Sequence, residues 1–212
     1  MKRTLSLLAA TLLVLSLAPV ASAVDGIGVY SDVTGAINCN AAPAPYSVVT
    51  LYLVAKNISS ASGLSGWECA LTLDPPAPLG LSYTLLNGGL NVLAPPLFQV
   101  GLGVVVPYAD AIPLANVGFL APLSGGVKVG IGPCTPSSFG RFPWEHLKPG
   151  PGYAVGDEPG VLRRLVPSSN IVAGDPALLY FWVYYLGIAE TCPGNPVGVE
   201  QSSWGDVKTL FK

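Results

Sequence analysis

Apolar and polar residues alternate through residues 47–57 (SVVTLYLVAKN), with Val49, Leu51, Leu53 and Ala55 on one face and Thr50, Tyr52 and Lys56 on the other. Residues 66–74 (GWECALTLD) repeat the pattern: Trp67, Cys69, Leu71 and Leu73 share one face, and Glu68, Thr72 and Asp74 the other. A period of two puts successive side chains on opposite faces of a pleated backbone, so each run predicts a half-buried strand. Further strands are expected over residues 27–32, 81–86, 97–106, 115–121, 127–131, 161–166 and 178–189. The 25 Gly and 21 Pro punctuate the chain too often for a long helix before its end. Short strands separated by turn residues predict an all-β fold, an antiparallel β-sandwich of about nine strands with jelly-roll or cohesin-like topology.

Two segments stand apart from that rhythm. Residues 178–189 (LLYFWVYYLGIA) are apolar almost throughout. They are too short to span a bilayer as a helix, which takes about 20 residues, and they predict a central strand covered on both faces. A membrane barrel fits less well, because the prolines would interrupt its closed ladder. At the C-terminus, Ser203 and Asp206 imitate a capping box, and Trp204, Val207, Leu210 and Phe211 share one helical face. A short helix or tail is expected over 201–212, with Gly205 and Thr209 lowering its propensity.

The first 23 residues fix the compartment. Lys2 and Arg3 precede an apolar stretch over 5–17, and Ala21-Ser22-Ala23 forms a small-residue cleavage site. This is the pattern of a secretory signal peptide cleaved near Ala23, so the chain is expected to be secreted or held at a bacterial cell surface, with no membrane span after signal removal. Residues 24–200 are then read as one domain.

Charge is sparse: 10% of the chain, against about 25% in ordinary soluble domains. Without the signal, eight basic residues face twelve acidic ones, a formal net charge of −4. Nucleic acid is excluded as a partner, because neutralising phosphates takes clustered Lys and Arg. Neutral partners are favoured instead: a polysaccharide, another surface protein, or further copies of the same chain.

Cys39, Cys69, Cys134 and Cys192 all follow the signal. An even count in an exported chain reads as two disulfides. Three pairings are open, and Cys39 with Cys69 and Cys134 with Cys192 is preferred because each closes a local loop. No C-x-x-C occurs and His146 is the single histidine, so neither a metal site nor a cofactor is implied.

The Gly66-Trp67 pair, the alternating strands around it and Asp74-Pro75 resemble the entry to cohesin-type and related carbohydrate-binding-module sandwiches, where a G-W/F-x-x-x-L-x-Y/L-D-P stretch follows a strand and a polar loop. The resemblance covers about a third of the chain beyond the signal. Leu73 stands where that pattern favours Tyr, and Cys69 is foreign to it. Cohesins bind a protein module and their relatives bind polysaccharide; the resemblance implies the sandwich, and no residue here matches a binding motif closely enough to carry that role. The closing W-G-x-V-K-x-L-F-K resembles the tail of uncharacterised exported proteins of environmental bacteria, which implies secretion and no activity.

Candidate chemistry concentrates in residues 133–159, a long Pro- and Gly-rich loop of the kind that often carries function. Trp144 and Tyr153 are expected there as aromatic platforms, since sugar rings stack their C–H faces on exposed rings, with Glu145 and Asp157 taking hydroxyls. Glu145, Asp157 and Glu158 also allow a polysaccharide hydrolase to be drawn, which needs two carboxyl groups about 5 or 6.5–9.5 Å apart. Solvated loop acids are the commoner outcome. Tyr108 is a further aromatic candidate. Ser137 and Ser138 precede His146 without a nucleophile-elbow motif, and cysteines held in disulfides are not nucleophiles, so acyl transfer is poorly supported. Asp32, Asn38 and Asn40 could ligate calcium, but Asp and Asn more often serve turns. Asn57-Ile58-Ser59 fits a glycosylation acceptor and equally a plain turn. The sequence thus predicts an exported, non-catalytic binding or surface-structural module, with an extracellular polysaccharide hydrolase or a self-assembling surface subunit as alternatives.

Overall fold

The computed structural model describes residues 25–36, 39–41, 43–74, 76–123, 127–139, 150–167 and 181–187. The signal segment, Trp144, Glu145, His146, Cys192 and the terminal segment 201–212 lie outside these residues. Among the described residues all regular structure is β, in two mostly antiparallel sheets, and no helix occurs. The strands are β1 (Gly26–Tyr30), β2 (Cys39–Ala41), β3 (Val48–Lys56), β4 (Leu64–Asp74), β5 (Ser82–Leu85), β6 (Gly89–Asn91), β7 (Leu97–Val106), β8 (Ala111–Leu120), β9 (Val127–Gly132), β10 (Gly152–Val155), β11 (Leu162–Arg164), β12 (Val166–Pro167) and β13 (Phe181–Gly187).

The first sheet runs β12-β1-β3-β8-β5 and the second β11-β10-β4-β9-β13-β2, with β7 also on β4 and β6 on β7. Among the described residues only β1–β12 and β2–β13 pair in parallel. The run 178–189 yields β13, which stands inside the second sheet between β9 and β2. The short strands β2, β6 and β10 carry too few alternating residues to be read from sequence.

Alternation does what it predicts. Val49, Leu51, Leu53 and Ala55 of β3 and Trp67, Cys69, Leu71 and Leu73 of β4 are all buried and join one core cluster drawn from both sheets. Phe98 of β7 stacks on Trp67 at 5.6 Å between ring centroids and meets Tyr83 of β5, from the other sheet, edge-on at 5.5 Å. Each such pair adds about 0.5–1.5 kcal/mol beyond its area. At the other end Asp25 ties the sheets: its carboxylate accepts from Ser59 N at 2.6 Å, from Ser59 Oγ at 2.9 Å and from the Tyr153 hydroxyl of β10 at 2.9 Å.

β7 lies along one side of β4, from Leu64↔Val106 to Ala70↔Leu97. On the other side β10 pairs with the first half of β4, ending at Glu68↔Gly152, and β9 pairs with the second half, starting at Ala70↔Gly132. β9 and β10 are therefore two halves of one interrupted strand: the chain leaves the ladder after Gly132 and rejoins it at Gly152, at the level of Cys69. Pro133 and Pro151 bound the gap, and neither has an N–H with which to continue a ladder. The expected loop over 133–159 is thus an excursion followed by a strand, because Tyr153 and Val155 resume the inward alternation after Gly152.

Candidate binding groove

On the outer face of the second sheet, register places Gly152, Glu68 and Gln99 in one row across β10, β4 and β7. The next row on the same face holds Leu162, Ala154, Gly66, Gly101 and Leu90 across β11, β10, β4, β7 and β6. Gly66, Gly101 and Ala154 leave the floor of this face nearly without side chains. The result is a shallow open cavity of about 300 Å³, flanked by Val92 and Leu162 and closed at one end by Ser138 and Phe139.

That end wall is the start of the excursion, and Glu68 holds it down. Alternation points Glu68 away from the core, as expected, yet only 4% of it is exposed, because the excursion folds over it. Its carboxylate accepts from Ser137 Oγ at 2.6 Å, from the Ser138 N–H at 2.8 Å and from Gln99 Nε2 at 3.4 Å. Gln99 Nε2 also reaches Ser138 Oγ at 2.6 Å, and Ser137 Oγ accepts from the Phe139 N–H at 3.1 Å. A buried carboxylate is tolerable only when its oxygens are hydrogen-bonded, and charge-assisted bonds are the stronger kind. The serines weighed as nucleophiles therefore serve as clamps. Phe139 then packs against Gly152: a Cβ there would stand 2.2 Å from two of its ring atoms, so only glycine admits this contact.

Among the aromatic platforms expected from sequence, Tyr153 is 1% exposed and packs in the core, with its hydroxyl on Asp25. Its ring is not available for stacking, since β10 turns it inward beside Trp67. Burial raises its hydroxyl pKa. Asp157 is exposed in the turn between β10 and β11, away from the groove lining. Tyr108 is exposed and donates to Asp110 Oδ1 at 3.0 Å, a bond that raises its pKa. Trp144 and Glu145 lie outside the described residues.

Asp32 serves a turn: its carboxylate accepts from the N–H groups of Thr34 at 3.0 Å and Ala36 at 3.1 Å, and from the Thr34 hydroxyl. Asn57 turns the chain after β3 with φ of 51°, its N–H on the Asp110 carbonyl at 3.0 Å. Among the described residues no three His, Cys, Asp or Glu side chains gather to hold a metal ion, and no helix is long and apolar enough to cross a membrane.

Cys69 and Cys134 are buried free thiols in this structure. Burial pushes both upward in pKa, Cys134 to about 12. The expected Cys39–Cys69 pairing meets an obstacle in the strand order, because β9 and β13 stand between β2 and β4. Three strand spacings amount to about 14 Å, twice the roughly 7 Å that a disulfide spans between Cα atoms.

Sequence reasoning missed Glu68 and Gln99. The signal was present: a carboxylate inside an apolar strand flanked by Trp67 and Cys69 needs partners. Two of its three donors lie 69 and 70 residues away, and the third, Gln99, lies 31 away. No protein-family model matches this chain, and no curated protein or solved structure matches it.

Proposed function

We propose that this protein is an exported, non-catalytic binding module, that its two sheets pack as a β-sandwich of the kind found in cohesins and carbohydrate-binding modules, and that its ligand is a neutral polysaccharide seated in the groove on the outer face of the second sheet. One observation carries the reading. A side-chain-free floor of Gly66, Gly101 and Ala154 adjoins a fixed polar cluster of Glu68, Gln99 and Ser138 and an apolar rim of Val92 and Leu162. A sugar unit offers the same mixture, hydroxyls at its edge and C–H groups on its faces. The volume, about 300 Å³, lies at the small end of ligand sites and suits one or two rings of a longer chain. Low net charge agrees with an uncharged ligand.

Gly101 supplies the test. A Cβ there meets nothing within 4 Å, so Gly101→Leu fills the groove at little cost to the fold. The purified protein and this variant are compared on a glycan array. Binding of one polysaccharide class that disappears in Gly101→Leu, with unchanged thermal unfolding, supports the groove. Equal binding by both proteins, or none by either, rejects it.

Self-assembly is a second reading with its own observation. β6, the terminal strand there, exposes Leu90 at 72%, and the adjoining end of β7 exposes Val104 at 71% and Val105 at 44%, an apolar patch of the sort another copy covers. Light scattering on the same sample separates the two, since a monodisperse monomer at high concentration removes assembly.

A further inference from the structure

We propose that Cys69 and Cys134 form a disulfide that fastens the excursion to β4. The break in the ladder argues for it. Ala70↔Gly132 is the first register pair of β4 with β9, and Glu68↔Gly152 is the last with β10. Cys69 therefore sits at the gap, where continued register would place Pro133 opposite it and Cys134 one residue further. With a cross-strand spacing of about 5 Å and a rise of about 3.4 Å per residue, a residue one position beyond the opposite one lies about 6 Å away between Cα atoms, within the range a disulfide bridges.

Strict alternation would turn Cys134 to the outer face, but the ladder ends at Gly132 and Pro133 cannot extend it. Released from the pleat, Cys134 is 1% exposed, its Sγ donating to the Pro136 carbonyl at 3.3 Å. Cys69 on β4 is wholly buried. Each feels Glu68, and Cys69 feels Cys134, so the sulfurs and the clamping carboxylate form one neighbourhood.

Bond formation converts two thiols to one Sγ–Sγ bond; two electrons and two protons pass to the disulfide of a small-molecule or protein oxidant, which leaves as two thiols. Neither thiol ionises readily once buried, and only the thiolate attacks a disulfide. The bond therefore closes while the chain folds, before the core seals. It holds the first turn of the excursion at the place where Glu68 holds the next, and so fixes the end wall of the groove.

Trypsin makes the test unambiguous. With Lys and Arg at 3, 56, 128, 141, 163, 164 and 208, and Lys148 followed by Pro, each cysteine falls in its own peptide: Cys39 in 4–56, Cys69 in 57–128, Cys134 in 129–141 and Cys192 in 165–208. The full chain is refolded in mixed reduced and oxidised glutathione, remaining thiols are alkylated at low pH, and the digest is mapped by mass spectrometry with and without reduction. The expected product joins 57–128 to 129–141. A link from 57–128 to either of the other two peptides, or alkylated Cys69 and Cys134 in protein whose other cysteines are oxidised, overturns the proposal. A Cys134→Ser chain refolded alongside supplies the converse: Cys69 is then alkylated only after denaturation, whereas a new link from Cys69 to Cys39 or Cys192 in most of the refolded protein also counts against it.

Discussion

Replacing Glu68 with Gln tests whether a single carboxylate seats the excursion. The change preserves shape and removes the charge. In the native protein Oε2 accepts from the Ser138 N–H at 2.8 Å and from Gln99 Nε2 at 3.4 Å, while Oε1 accepts from Ser137 Oγ at 2.6 Å. The glutamine oxygen serves the Ser138 N–H, which cannot change its role, and the amide nitrogen then faces the Ser137 hydroxyl, which rotates to accept. All partners remain but the bonds become neutral. Bonds to charged groups contribute about 1.5–3 kcal/mol each and neutral ones about 0.5–1.5, and the relief of burying a charge offsets part of the difference. The net loss expected is about 1–2 kcal/mol, or roughly 2–8 °C in Tm for a domain of this size. Urea unfolding followed by tryptophan fluorescence measures it. A double-mutant cycle with Ser137→Ala isolates the contact, with a coupling of at least about 0.5 kcal/mol expected. Additive single effects, or a Gln variant as stable as the parent, would refute the idea that this carboxylate clamps the loop.

Gly152→Ala drives a methyl group to 2.2 Å from the Phe139 ring; overpacking of this kind costs about 1–3 kcal/mol, read as a lower urea midpoint, and Phe139→Ala in the same chain should recover part of it. Tyr153→Phe removes the hydroxyl that donates to Asp25 at 2.9 Å and is expected to cost about 1 kcal/mol, with glycan binding unchanged because the ring lies in the core. In the reduced protein, Cys134 at about 12 against an ordinary 9.0 carries about a thousandth of the usual thiolate at pH 8, so native-state alkylation should be roughly 10³-fold slower than for a free thiol. The same shift sets a pH dependence: the unfolded thiols lose protons near pH 9 while the folded ones keep theirs, so stability is retained below about pH 9 and falls as pH rises toward 12. A urea midpoint of the reduced protein that stays flat between pH 8 and 10.5 would contradict that burial.

The all-β class and most of the strands are legible in the chain alone, because alternation with a period of two is a local property: β3, β4 and β7 lie almost where the pattern puts them, and the inward faces of β3 and β4 are core. The chain alone also bounded composition, charge and the cysteine count. What covers the outward faces depends on packing between segments distant in the chain. Glu68 reads as a solvent-facing residue from its parity and becomes buried because a segment about seventy positions later folds over it. Tyr153 reads as a loop aromatic and becomes core because β10 resumes the interrupted partner of β4. Cys69 and Cys134 read as members of separate pairs and are brought to the same gap in the ladder. Strand order and register are set by contacts distant in sequence, and a one-residue change of register exchanges the two faces. Local alternation says that a side chain points outward; only the packed sheets determine whether water or another part of the chain meets it there.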